Sequence, residues 1–236
     1  VLSGLSTKYT YFERYKDTWD LMAAVEEESG GMPPGLLGDI RSLSGVTRCI
    51  RYEKAEGYTW LEEGMLSEEL RKAGGLESLK NTGIQKLDGR YRIKVSMVIL
   101  DQDSFQEFLE ETGLDSSVTE VTVNRIWDNV NSHFRARAYL PFISAVDDPV
   151  TVAVDEGNGT GETGDRGSIQ LHTGAYTNQV PDLREEYPDF SLVHIMPEQI
   201  YEEKAGSRVP GEVYYQIKAV SDEAVPKLEE SVRRLM

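Results

Sequence analysis

The order of apolar and polar positions divides the chain into short elements of two periods. Tyr9 to Lys16 mixes aromatic and charged residues and reads as the start of a helix, and Trp19 to Val25 is an apolar run that fits either helix or strand. After the break Ser29-Gly30-Gly31-Met32-Pro33-Pro34-Gly35, Leu36, Leu37, Ile40 and Leu43 fall at helical spacing, and Gly45 is the stop. Val46 to Trp60 is rich in β-formers, with a turn expected at Gly57. Leu61 to Lys80 reads as an acidic helix interrupted by Gly74-Gly75. Asp88-Gly89 is a two-residue hairpin signal, and Tyr91 to Leu100 is the best strand in the chain. A short helix follows, with Asp103 as its cap, Phe105, Phe108 and Leu109 on its apolar face, and Gly113 as its end.

From Thr119 onward the pattern alternates. Val121 and Val123 share one face, as do Phe134, Ala136, Ala138 and Leu140, while Val150–Val154 and Ser168–Thr173 flank a Gly-rich loop. Pro181 to Phe190 reads as a polar linker. A helix opens at Met196-Pro197-Glu198-Gln199, Glu212 to Val220 is a strand, and Asp222 to Met236 a closing amphipathic helix. The mixture gives an α+β fold class with a β-rich insert in the middle.

Composition narrows what such a fold can do. Lys and Arg number 25 against 41 Asp and Glu, a net charge of −16, which argues against nucleic acid and against anionic membrane surfaces as partners. A single Cys makes no internal disulfide and no ordinary Cys-based zinc site. Cys49, in a β-rich run without a nearby His, reads as a buried strand residue rather than a nucleophile. His133, His172 and His194 lack HxH or HExxH spacing, so any metal or triad site would have to be assembled by the fold.

Two motifs invite chemistry and do not sustain it. Gly159-Thr160-Gly161-Glu162-Thr163-Gly164 matches GxGxxG, but the residues after it alternate as a strand where a dinucleotide site needs a helix, and Asp155, Glu156, Glu162 and Asp165 would repel phosphate. No nucleotide or other cofactor is therefore expected. Asp101-Gln102-Asp103 starts like a calcium loop but continues with Phe105 and Gln106 where an oxygen ligand and Gly are required. Acidic pairs such as Glu62-Glu63, Glu110-Glu111 and Glu229-Glu230 read as solvated faces, because helical neighbours do not face one another. One candidate ligand or partner surface is a basic stripe on an alternating strand: His133, Arg135, Arg137 and Tyr139. Its alternative is an exposed strand face neutralised by local carboxylates.

Four stretches, in order, resemble the extracytoplasmic domain of FtsX-like and MacB-like ABC transporter permeases. Trp19 to Val25 is similar to the strand that follows that family's first membrane helix, and Ile40 to Ile50 to its helix, Gly-Val turn and returning strand. Val98 to Phe105 is similar to its strand-to-helix step, with Leu100 where Gly is frequent. Ile195 to Tyr201, Val213 to Lys218 and Asp222 to Leu235 resemble the closing helix–strand–helix. The middle, about Leu114 to Phe190, matches no part of that pattern.

The resemblance implies a membrane-proximal, porter-like lobe of βαβ type over 1–113 and 205–236, completed by the C-terminal strand and helix, and a variable β-rich lobe over 114–204. It implies a segment cut from between two membrane helices, for which the absent initiator Met and the unfinished last helix are also expected. The domain would lie on the extracytoplasmic face of a bacterial membrane and perform no chemistry. ATP hydrolysis would belong to a cytoplasmic ATPase subunit or domain. Its partners would be the transmembrane helices of its own chain, that ATPase, and a substrate or protein outside the membrane. The competing expectations are a secreted or surface-anchored binding or adhesion module, and a hydrolase whose site is assembled from dispersed residues.

Overall fold

Asp88 and Gly89 both take positive φ, 50° and 77°, the backbone of a two-residue hairpin whose twist matches its flanking strands. The strands it joins are β4 (Gln85–Leu87) and β5 (Arg90–Leu100). The computed structural model describes residues 9–13, 18–26, 35–72, 76, 84–123, 150–154, 168–177, 179–183, 191–205 and 212–236. These divide into two compact units, one of Val1–Lys54 with Arg208–Met236 and one of Ala55–Ser207. The fold is α+β and mostly strand.

The first unit holds β1 (Tyr9–Glu13), β2 (Leu21–Glu26), helix α1 (Leu36–Ser42), the first half of β3 (Val46–Glu62), β11 (Glu212–Ala219) and helix α5 (Val225–Leu235). Its strand order is β1-β2-β11-β3. β11 runs antiparallel to both β2 and β3, so these two are parallel to each other, joined by α1 and separated by the returning C-terminal strand. One face of this sheet (Leu21, Ala23, Val25, Cys49, Tyr215, Ile217) packs on Leu36 and Ile40 of α1 and on Val225, Leu228 and Val232 of α5. Cys49 is buried, as its strand context implied. The Asp20 carboxylate accepts the Ala219 amide at 2.7 Å and pairs with Lys218 at 3.2 Å, tying the start of β2 to the end of β11.

On the other face Tyr52 and Tyr214 stack at 5.1 Å beside buried Met22, Ala24, Ile50 and Gln216. The Gln216 Oε1 has no hydrogen-bond partner although the residue is fully buried.

The second unit contains the rest of β3, α2 (Glu68–Lys72), β4, β5, α3 (Gln102–Thr112), β6 (Val121–Val123), β7 (Val150–Val154), β8 (Ser168–Leu171), β9 (Ala175–Thr177), β10 (Ser191–Pro197) and α4 (Glu198–Ala205). β5 and β10 form a parallel ladder from Lys94↔Ser191 to Leu100↔Pro197. β6 lies antiparallel on the far side of β10, and β9 parallel beyond it. Tyr91, Ile93, Val95, Met97 and Ile99 project from one face of β5 into a core with Leu192, Met196 and Tyr201.

Several elements differ from expectation for identifiable reasons. Tyr9–Glu13 is a strand paired with β2 rather than a helix, since that pairing supplies backbone partners its short pattern could not. Gly57 makes no turn. β3 runs through it, and Gly57 pairs with Val154 of β7. The cap of α3 is Asp101, whose carboxylate accepts the Ser104 amide at 3.1 Å and the Ser104 hydroxyl at 2.6 Å; Asp103 is already inside the helix. Pro197 ends β10 instead of opening α4. Along the chain the two compact units divide at 54/55 and 207/208, and β5, which pairs with β10 from Lys94 to Leu100, belongs to the second.

Replacing Gln216 by Met removes a buried amide oxygen without a partner at similar volume, and with it the weak Nε2 contact to Met22 Sδ at 4.0 Å. The urea midpoint of Gln216→Met is expected to equal or exceed that of the parent protein, and a loss above about 1 kcal/mol would show that the amide is stabilising after all.

Candidate functional site

His194 sits at the centre of β10, flanked by buried Val193 and Ile195, and its register partner on β6 is Thr122. An imidazole placed there must find partners within the protein, because an unpaired buried polar group costs a few kcal/mol. It finds two. Nε2 lies 2.9 Å from Glu120 Oε2, and Nδ1 lies 3.0 Å from Thr122 Oγ1. The second Glu120 oxygen pairs with Lys204 Nζ of α4 at 2.9 Å, and Lys204 also donates to the Gln170 carbonyl at 2.8 Å. The His172 amide donates to Glu120 Oε2 at 3.1 Å, and Thr122 Oγ1 is 2.8 Å from Thr173 Oγ1.

Burial alone pushes the Glu120 carboxyl upward, but hydrogen bonds from His194 and Lys204, the attraction of His194 and the His172 amide outweigh it and hold the group below its ordinary value. Burial lowers His194 and outweighs the raising influence of Glu120; Lys204 and His172 lower it further. Burial is the main reason, and Lys204 reinforces it because it already neutralises Glu120. With Glu120 ionised and His194 neutral, Nε2–H donates to the carboxylate and Nδ1 accepts. The hydroxyls are then ordered, Thr173 donating to Thr122 and Thr122 to His194.

The backbone holding Glu120 is clamped as well. Its carbonyl accepts amides from Gly174 at 3.1 Å and Ala175 at 3.3 Å. A Cβ on Gly174 would meet that carbonyl oxygen at 3.1 Å, tighter than ordinary contact, so the close approach favours glycine. The side chains of His194 and Glu120 are only 1% and 5% exposed, which leaves no face of this acid–base pair for a substrate. Among the described residues no group of three or more His, Cys, Asp or Glu could hold a metal ion.

A second arrangement lies on the exposed part of β5. Arg90, Arg92 and Lys94 alternate with the core residues Tyr91, Ile93 and Val95. Each meets a residue of neighbouring β3. The Arg90 guanidinium lies 5.5 Å from the Trp60 ring centre, that of Arg92 3.8 Å from the Tyr58 ring, and Lys94 Nζ 2.8 Å from Glu56. The contacts step two residues in opposite directions along the two strands, as same-face pairs of an antiparallel ladder do. Leu87, opposite Arg90 on β4, is 57% exposed and Trp60 38%.

The stripe His133, Arg135, Arg137 and Tyr139 lies outside the described residues, as do Gly159 to Gly164. The strand expected after that loop is present as β8, paired antiparallel with β7. Of the three His, the fold gives His194 a carboxylate and brings the backbone of His172 to the same carboxylate. Nothing in sequence links Glu120 to His194, 74 positions away. The Arg90, Arg92 and Lys94 row was not part of the reading of Tyr91 to Leu100 as a strand; the alternation of these charges with apolar residues is the signal that could have found it, while its β3 partners were hidden. No protein-family model matches the chain, and no curated protein matches it in sequence.

Because the folded state holds His194 neutral below its ordinary value near 6.5, the unfolded chain takes up that proton more readily, so stability is fully present above 6.5 and declines as pH falls toward the lowered folded value. The slope of urea stability is expected to approach at most about 1.4 kcal/mol per pH unit below 6.5, and to flatten in His194→Gln. Glu120, held below its ordinary value, adds loss only as pH falls below 4.5. Glu120→Ala strands Lys204 and the imidazole N–H together and is expected to cost about 3–5 kcal/mol by urea denaturation, with Glu120→Gln costing less because one acceptor remains.

Proposed function

We propose that the chain is a non-catalytic extracytoplasmic domain of an ABC transporter permease of the FtsX-like and MacB-like kind, which binds a substrate or partner outside the membrane and couples that contact to the ATP-driven cycle. The observation that carries the reading is the adjacency of the resembling stretches. Leu21–Val25 of the first pairs along β2 with Val213–Ile217 of the last. Ile40–Ile50, which covers the end of α1 and the start of β3, lies in the same unit, with β3 on the other edge of β11. A domain inserted between two membrane helices needs its first and last segments in one body, and this connectivity meets that need. In this reading the first unit is the membrane-proximal lobe, with β2–α1–β3 as its βαβ element and β11–α5 completing it.

Support for a role without chemistry comes from the enclosure of the His194–Glu120 pair, which works as a structural clasp between β6, β10 and α4. Among the described residues no helix is long and apolar enough to cross a membrane. The reading frame of the parent gene tests the proposal. It is expected to encode an apolar run of about 20 residues on each side of the segment, and a neighbouring or fused ATPase; absence of either run overturns it. A signal peptide upstream with no second span would favour the secreted binding module instead.

A further inference from the structure

Among the described residues β9 is an edge strand, three residues paired in parallel with β6. Short edges and the connections leading into them open at the lowest free energy in a fold. The connection into β9 also closes the clasp. Its His172 amide reaches Glu120 Oε2, its Thr173 hydroxyl reaches Thr122 Oγ1 at 2.8 Å, and the Gly174 and Ala175 amides reach the Glu120 carbonyl. His172 and Gly174 are exposed and Thr173 is half-buried, so this segment is the layer between Thr122 and solvent. The largest side chain it would take from the core is the half-buried Tyr176.

The same segment lies on the side of the imidazole where a proton would add. With Nε2–H committed to Glu120, a second proton can join the ring only at Nδ1, which meets Thr122 Oγ1 at 3.0 Å. Nδ1–H would then donate. Thr122 would have to turn its proton to Thr173, and Thr173 to turn its own outward. The charged and titratable groups acting on the ring are Glu120 ahead of β6, Lys204 of α4 and His172 of the connection; its neighbour on β5 is Met97. Glu120 is the only anion of that set and already pairs with Lys204 at 2.9 Å, so the closed clasp offers an imidazolium no second negative charge. Burial acts in the same direction, whereas a ring that has reached water binds the proton without that cost.

We propose that acid releases the edge segment His172–Thr177 from β6 while the β5–β10 ladder stays closed, an opening driven by proton uptake at His194 Nδ1 that frees the outer backbone edge of β6. This segment opens rather than α4, because α4 reaches the clasp from the Glu120 side, through Lys204. The device lies in the second unit alone, so its failure and that of the permease reading are distinguishable.

Amide hydrogen exchange of the whole 236-residue chain, followed by NMR and corrected for intrinsic rates, tests it. The opening constants of Gly174 and Ala175 are expected to exceed those at the centre of the β5–β10 ladder, and to rise up to about tenfold from about pH 7.5 to about pH 5.5. His194→Gln, which does not titrate, should hold that rise below about twofold. The exposed His172→Gln keeps the backbone bond to Glu120 and should leave the rise within about twofold of the parent's. Far-UV circular dichroism verifies that each variant is folded, and the ring 15N shifts of His194 in the parent protein give a readout that needs no variant. Gly174 and Ala175 exchanging only with the ladder amides, no rise in acid, a rise that survives in His194→Gln or is lost in His172→Gln, or a doubly protonated ring with both amides still closed would each overturn the proposal.

Discussion

The parallel ladder between β5 and β10 is the constraint on which the second unit depends. Parallel strands cannot be joined by a tight turn, so the chain must leave β5, build α3, β6 and the β7–β8 hairpin, and return before β10 can pair. The register from Lys94↔Ser191 to Leu100↔Pro197 then has two consequences. It sets His194 between Met97 of β5 and Thr122 of β6, where no water reaches it. It also ends both strands together, Leu100 opposite Pro197, so that α3 and α4 start from the same end of the ladder.

The electrostatics of the clasp follow from that burial. A carboxylate enclosed to this degree is tolerable only when its lone pairs are filled, and Glu120 receives the Lys204 ammonium, the His194 ring N–H and the His172 amide. These donors come from α4, β10 and the connection after β8, so a single charge gathers elements far apart in sequence. The first unit uses the same device on a smaller scale, where Asp20 gathers Ala219 and Lys218 across the pairing of β2 with β11. Arg51 and Glu53, buried and 2.6 Å apart on β3, form a further self-compensating pair.

Much of the local structure was legible because it rests on local physics. Asp88-Gly89 specifies its hairpin through positive φ, Gly113 ends α3 at φ 70°, and Tyr91 to Leu100 forms the strand its β-formers imply. Where the reading missed, a distant partner outweighed local preference. Tyr9–Glu13 became a strand because β2 offered it a ladder, and Gly57 stayed extended because β7 paired with it. Asp101 rather than Asp103 caps α3, since β5 runs on to Leu100 and sets where the helix starts.

By itself the sequence determined the α+β mixture, the hairpin, the α3 helix, the burial of Cys49 and the strand that follows the Gly-rich loop, all of which depend on periods and turn residues within a dozen positions. Tertiary structure alone decided that the C-terminal strand β11 lies between β2 and β3, that β10 returns to β5, and that His194 meets Glu120 and Arg92 meets Tyr58. Those pairings join residues separated by 34 to more than 190 positions, and a strand's own pattern says which face is buried but not which distant strand will lie beside it.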